Sequence, residues 1–476
     1  MPGVCASSRR ARRERVGSGP GIAGARIGHR QGGPQATSPP LACTDPLPGG
    51  HVLKRRTPRA FSDIVIIGGG TAGLAAAHHL TAAGLTVTVL EAEERTGGRM
   101  ATEHRDGFRL DRTGQLTLHD SPALRGLPRP LSLRRLTGGV LLRGRDRTHR
   151  IGEAEGHGSG TADAGPHALA PAFERIWLRA HLARLGRCPD ARLRDRPELT
   201  AAGALHARGI PPHIAESSLR PLLSALLHDP DLVTSSRLGD LALRAFARRG
   251  LSLPAGGAAA LPGLLAAGLP ADAVRTGVRA TSVTTTAVAT ERHGTFRCRA
   301  VVVATGAAEA ARLLPGLRVP DFRPVTVLHH AAPAALPSGA TLVVDTGGRG
   351  PVAHTMAASA ADPSRAPEGR TLVTSVVLGP QAAEPTELLD KAARPQLSEM
   401  HETAADDWEL LAAHHDPQAM PVVPPPFAGV RPVRLLDGLY VCGDHRDAPG
   451  PVGDLGSAQR AASAVLADAG RQALAG

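Results

Sequence analysis

The pattern of apolar and polar positions divides the chain into a patternless start and a regularly patterned body. Residues 1–60 mix Gly, Pro, Ser and Arg without an apolar period. Such a segment cannot bury enough surface to offset its chain entropy, so a disordered tail is expected. From Phe61 the pattern sharpens. Ser62-Asp63 leads into Ile64-Val65-Ile66-Ile67, which reads as a buried strand. A glycine-rich stretch follows at 68–73. Leu74 to Ala83 predicts a helix rich in Ala and Leu, with Gly84 where a left-handed stop belongs. Leu85–Leu90 predicts a second strand, ending at Glu91. Together these form a strand–helix–strand opening.

Farther along, Ala170–Leu185 and Leu219–Leu227 predict helices between Pro and Gly breaks, and 153–166 a mobile Gly-rich loop. Strands resume at Val278–Thr290, Phe296–Thr305, Val325–His330 and Ala340–Asp345. Thr386–Leu411 predicts one long helix and 421–432 a Pro-rich loop. A last strand at Gly438–Cys442 precedes a final helix from about Val452 to Ala469. No internal repeat is visible.

Composition changes this picture in three ways. A chain of 476 residues, 42% hydrophobic, suits two interlocked domains better than one core. The net charge of +12 is uneven: residues 1–60 carry ten Arg and Lys54 against Glu14 and Asp45, leaving only +3 for the rest. The basicity belongs to the tail. It reads as a passive tail, favoured, or as a basic arm for anionic lipid or nucleic acid; peripheral membrane contact is the partner kept open, and no nucleic-acid partner is expected. Third, the chain has no Asn, two Lys and one Tyr, the mark of a GC-rich genome rather than of chemistry. Cysteines at 5, 43, 188, 298 and 442 are odd in number and widely spaced, which argues for free thiols in a reducing compartment. No apolar run approaches ~18 residues, and the start lacks a secretory apolar stretch. A cytoplasmic protein is expected.

The opening unit carries the clearest chemistry. Gly68 allows a tight strand-to-helix turn, Gly70 lets backbone approach a pyrophosphate, and Gly73 lets helix and strand pack closely. The helix start at Thr71-Ala72 offers unpaired N–H groups to phosphate. Glu91, at the end of the second strand, can accept hydrogen bonds from ribose hydroxyls and would repel a 2′-phosphate. These features favour FAD or NAD over NADP.

Arg95-Thr96-Gly97-Gly98-Arg99 follows closely, and the run from Ile64 to Arg99 resembles the flavoprotein amine oxidase and phytoene desaturase superfamily. Gly438-Leu439-Tyr440-Val441-Cys442-Gly443-Asp444 is similar to that superfamily's C-terminal FAD motif. The resemblance implies FAD as cofactor. Gly98 and Arg99 would wrap its phosphates, Asp444 would accept from the ribityl chain, and Val452-Gly453 would start a helix aimed at the flavin. Pro254-Ala255-Gly256-Gly257 resembles the segment leading into the middle contact region, and Val278 the residue whose backbone meets the adenine. Val301–Thr305 resembles a strand ending near the dinucleotide, and Leu110-Asp111-Arg112-Thr113-Gly114-Gln115 the loop beside the flavin ring.

The implied fold is α/β: a doubly wound, Rossmann-type FAD-binding domain with an inserted mixed α+β substrate domain. The FAD domain would comprise 61–120, 250–315 and 430–476, and the substrate domain 121–249 and 316–429. The implied function is hydride removal from an organic substrate, with an unspecified electron acceptor. Monoamine oxidases frame the flavin with two Tyr, and polyamine oxidases often use a Lys. Here Tyr440 sits in a strand and Lys391 in a predicted helix, so an apolar substrate is favoured over a simple amine. His329-His330 should point to opposite faces of a strand, one packed and one solvated. His78-His79 sit in the first helix and His414-His415 in a loop, without an expected catalytic role. No metal-ligand spacing and no Gly-x-Ser-x-Gly elbow occurs, and no catalytic residue is assigned. Three rivals stand beside this reading: a flavin-dependent isomerase without net redox change, an NAD-linked enzyme, and a non-enzymatic interaction protein on the same fold.

Overall fold

Ile64 and Ile66 pack on one side of their strand, among Leu74, Leu80, Ala458 and Val465. Val65 and Ile67 pack on the other, among Val288, Phe296 and Val441. A strand buried on both faces needs layers above and below, which is why it reads as an unbroken apolar run. In this computed structural model, which describes residues 62–114, 116, 122–144, 147–152, 168–169, 172–427 and 429–475, it occupies the middle of a parallel sheet. The sheet order is Val274–Arg275, Val87–Leu90, Ser62–Ile67, Gly294–Val303, Leu439–Val441, all parallel. The first half of Gly294–Val303 also pairs antiparallel with Ala287–Thr290, which pairs with Ala280–Val283. The stretch expected as one strand at 278–290 is therefore a hairpin. The helices Thr71–Ala82 and Pro451–Ala475 cover one face of the sheet.

A second sheet of eight strands runs Glu409–Pro421, Phe322–Ala332, Thr371–Leu378, Val352–Ala357, Leu342–Asp345, Val140–Arg143, Arg147–Ile151, Ala168–Leu169. It is mostly antiparallel, with Leu342–Asp345 and Val140–Arg143 a parallel pair. One face carries the helix Thr386–His401 through Leu389, Ala393 and Leu397. The other carries the helices between Ala172 and Arg249 through Leu219, Leu222 and Leu243.

Three expectations for this sheet are corrected. The helix starting at Thr386 ends at His401, where Glu402 turns left-handed at φ +55° and Thr403 N–H donates to Ser398 O. The following Glu409–Pro421 is a strand, and His414-His415 belong to it rather than to a loop. Its Leu and Ala content favours helix locally, but pairing along the edge of Phe322–Ala332 overrides that preference. His329 and His330 do face opposite ways, yet both are buried, because the strand is covered on both sides. The tail 1–60, Phe61, Gln115, the loop 153–166, Ala170, Cys5 and Cys43 lie outside the described residues. Cys188, Cys298 and Cys442 are free thiols. Among the described residues no helix is long and apolar enough to cross a membrane.

Candidate functional site

Strand register brings the motif residues together. Ile67 is level with Leu90 and with Val303, and Val303 with Val441. The residues that follow, Gly68, Glu91, Ala304 and Cys442-Gly443, therefore emerge along one edge of the parallel sheet. Ligands of such sheets bind outside the carboxyl ends of the strands. A cavity of about 700 Å³ opens there, lined from the expected set by Gly68, Gly70, Thr71, Ala72, Glu91, Gly98, Arg99, Val278, Gly443 and Asp444.

At one end the backbone shapes the cavity. Gly68 has φ +106°, and a Cβ on it would lie 2.7 Å from Ala304 O. A Cβ on Gly73 would lie 1.9 Å from Gly68 O, so Gly73 sits beneath the turn and does not line the cavity. The first turn of the helix has no side-chain cap, and Thr71 Oγ1 is buried without a partner. Buried polar atoms are nearly always paired in native proteins, so this helix start is a ready anion site. Glu91 accepts from Gly69 N–H at 2.6 Å and from Glu93 N–H at 2.8 Å. Both carboxylate oxygens are fixed and each keeps a lone pair for a ligand. Val278 N–H donates to Glu91 O at 2.7 Å, which ties that wall to the strand end.

At the other end acidic groups gather around one guanidinium. Arg99 pairs with Asp444 at 2.7 Å and donates to Ala419 O at 2.8 Å. The side chain expected to reach a phosphate thus spans from the glycine loop to the second sheet. The cause is electrostatic: the Asp444 side chain is 3% exposed and needs a cation. Burial disfavours the Arg99 charge, but Asp444, Asp454 and Asp416 outweigh it and raise its pKa. Asp454 accepts from Asp444 N–H at 2.9 Å. Its burial, and next the Asp444 charge, push its pKa well above the ordinary carboxylate range. Gly443 N–H donates to Ser457 Oγ at 2.9 Å. Val452 and Gly453 do not line the cavity: Val452 is 39% exposed, and Gly453 packs against Ala448 O. Asp454, one residue on, lines it instead.

The remaining wall comes from the second sheet and was missed in the sequence. Phe322, His414, His415, Asp416 and Gln418 line the cavity together with Arg112 and Thr113. A small recess behind them adds His228, Val325, Ala419 and Met420. The misread strand hid this group, because five polar side chains among Ala and Pro give no clean alternation. His329 lies one layer behind. Its Nε2–H donates to Asp111 O at 2.9 Å, Thr374 Oγ1–H donates to its Nδ1 at 3.2 Å, and its ring stands edge-on to His414 at 5.5 Å. Burial lowers its pKa to about 4, so it stays neutral. His414 is shifted the same way by burial, partly offset by Glu103. The loop 110–114 is held by Asp111, which pairs with Arg365 at 2.6 Å and accepts from Ala258 N–H.

The family model for flavin-containing amine oxidoreductases matches residues 71–466. The chain belongs to this family. Its cofactor is FAD. The putrescine oxidase of Kocuria rosea is 46% identical over 71 residues, 15% of this chain and 15% of that one. The phytoene dehydrogenase of Streptomyces griseus is 51% identical over 55 residues, 12% of this chain and 11% of that one. The matched stretches thus span only a small part of those relatives. An oxidoreductase from Methanosarcina mazei shares the fold with a TM-score of 0.64 at 16% identity, covering 83% of this chain and 99% of that one. The parallel sheet with its glycine turn is accordingly a Rossmann-type FAD-binding fold. The residues present suit this cofactor. An uncapped helix start with an orphaned buried hydroxyl can receive a pyrophosphate. A strand-end carboxylate can receive ribose hydroxyls. The volume lies within the usual range of about 300–1,000 Å³ for small-molecule sites.

Proposed function

We propose that the protein is an FAD-dependent oxidoreductase that removes hydride from a carbon of an organic substrate, with an apolar substrate favoured over a simple amine. The observation that carries the reading is the single cavity edge shared by Glu91 and Asp444, with the uncapped helix start between them. Bound FAD supplies the hydride-accepting chemistry. In this reading Gly68, Gly70, Thr71, Ala72 and Gly98 hold the phosphates, Glu91 a ribose, Val278 the adenine, and Gly443 and Asp444 the ribityl arm, with Arg99 holding Asp444 in place. Gly73 and Gly453 act through packing, and Val452 through the helix it begins. Residues 61–120, 250–315 and 430–476 form the cofactor domain, and 121–249 and 316–429 the substrate domain. His414 and Asp416 orient the substrate and exclude water, and the neutral His329 keeps the His414 ring in place.

The apolar preference is supported by where the amine-type residues lie. Tyr440 is buried and donates to Asp468, away from the cavity, and Lys391 is exposed on its helix. The recess by Val325, Ala419 and Met420 offers apolar surface. The test is an anaerobic titration of the yellow protein, read at ~450 nm, with phytoene in detergent and with putrescine. Bleaching by phytoene alone is expected. Bleaching by putrescine would overturn the apolar preference. A protein that stays colourless after reconstitution with FAD would overturn the whole reading.

A further inference from the structure

A second cavity, of about 560 Å³, lies within the helices Ala172–Arg187, Ala201–Ala207, Arg220–Leu227 and Ser236–Arg249. It shares no lining residue with the cofactor cavity. Its chemistry is lopsided. Arg184, Arg196 and Arg208 line it against one carboxylate, Asp240. Both Asp240 oxygens are already taken, one by Arg208 at 2.6 Å and one by Arg196 at 3.0 Å. Arg208 Nη2 is buried without a hydrogen-bond partner, and Arg184, exposed at the rim, makes no ion pair among the described residues. Donors therefore outnumber acceptors, and the cluster keeps an excess of positive charge.

The wall beside the arginines is flat and apolar. The Trp177 ring stacks on His181 with centroids 4.9 Å apart and planes 9° from parallel. Burial, and then the neighbouring arginines, lower the His181 pKa to about 4, so this platform is neutral at physiological pH. Leu205, Ile210 and Leu243 complete the apolar side. A space with convergent cations at one side and an aromatic plate beside apolar side chains suits one ligand class. Guanidinium matches the planar carboxylate fork, and the plate takes a planar ring.

We propose that this cavity is a binding site, separate from the cofactor cleft, for a small organic anion with a carboxylate head and a flat apolar body. Arg184, which no acid among the described residues engages, meets the carboxylate, and Trp177 stacks on the body.

The experiment is calorimetric titration of the FAD-loaded full chain with 2-naphthoate, and in parallel with 2-naphthylmethylammonium, which has the same body and the opposite charge. One equivalent of naphthoate should bind with FAD still in place, and the ammonium should not bind. Arg184→Gln should weaken naphthoate about tenfold or more, since hydrogen bonds to charged groups are the strong ones. Because Arg184 is exposed and has no partner among the described residues, the variant should keep its FAD content and melting temperature. Trp177→Leu should weaken binding several-fold. No binding up to about 1 mM naphthoate, equal binding of the ammonium, displacement of FAD, or an affinity unchanged in Arg184→Gln would each overturn the proposal.

Discussion

The two walls of the cofactor cavity are built from different materials. On the parallel-sheet side, the shape comes from backbone: a left-handed turn at Gly68, a close approach at Gly73, and an uncapped helix start. On the antiparallel side, it comes from side chains of one edge strand, His414 to Gln418, whose backbone pairs with Phe322–Ala332. The backbone-built wall tolerates little change at Gly68 and Gly73, where a Cβ meets a carbonyl oxygen. A side-chain-built wall can be revised without disturbing the fold.

The largest effect should come from breaking the backbone wall. Gly73→Val puts side-chain atoms where Gly68 O now lies. Overpacking of this kind costs about 1–3 kcal/mol or more, so we expect a lower urea midpoint and protein without FAD. Next is Arg99→Ala. It leaves Asp444, 3% exposed, without its cation. Breaking a buried pair costs about 3–5 kcal/mol, and the partial exposure of Arg99 reduces that to about 1–3 kcal/mol. Denaturant titration measures it, and Arg99→Lys should recover part of the loss. Glu91→Gln removes the charge and one of the two acceptors that Gly69 N–H and Glu93 N–H now use. A roughly tenfold rise in the FAD dissociation constant is expected from weaker ribose hydrogen bonds, read by flavin fluorescence.

On the side-chain wall, His414→Ala should leave FAD content intact and stability within about 0.5–1 kcal/mol, while slowing substrate-dependent bleaching. Loss of FAD on that change would erase the contrast between the walls. The smallest effect is a pH slope. Asp454 has a raised native pKa, so the native state holds a proton that the unfolded chain has lost. Stability should then fall as pH climbs from the unfolded value of about 4 towards the native one. Asp454→Asn should flatten that fall in a series of melts.

The same contrast explains what could be read in the sequence. Gly68, Gly70, Gly73 and Glu91 were legible because backbone constraints leave few residue choices, and those choices appear at fixed spacing. Gly443-Asp444 was legible only through its resemblance to the family's C-terminal FAD motif. The second wall was not. The strand at 409–421 carries Leu and Ala that favour helix, and only its pairing with Phe322–Ala332 makes it a strand. One of His329 and His330 was expected to be solvated, but the helix Thr386–His401 covers His330, whose Nε2 lies 2.8 Å from Asp390 Oδ1, and His329 is buried on the other face. Such coverage depends on long-range packing that no local pattern encodes. Asp454 was overshadowed by Val452-Gly453, because the turn at Ala448–Pro451 decides which side chain of the helix start looks inward.

Amide hydrogen exchange with and without FAD tests the central claim most directly. If one dinucleotide spans the strand ends, residues 68–74 and 443–456 should gain protection together, at the same FAD concentration. Protection of one segment alone, or of neither, would contradict a single cofactor reaching from Glu91 to Asp444.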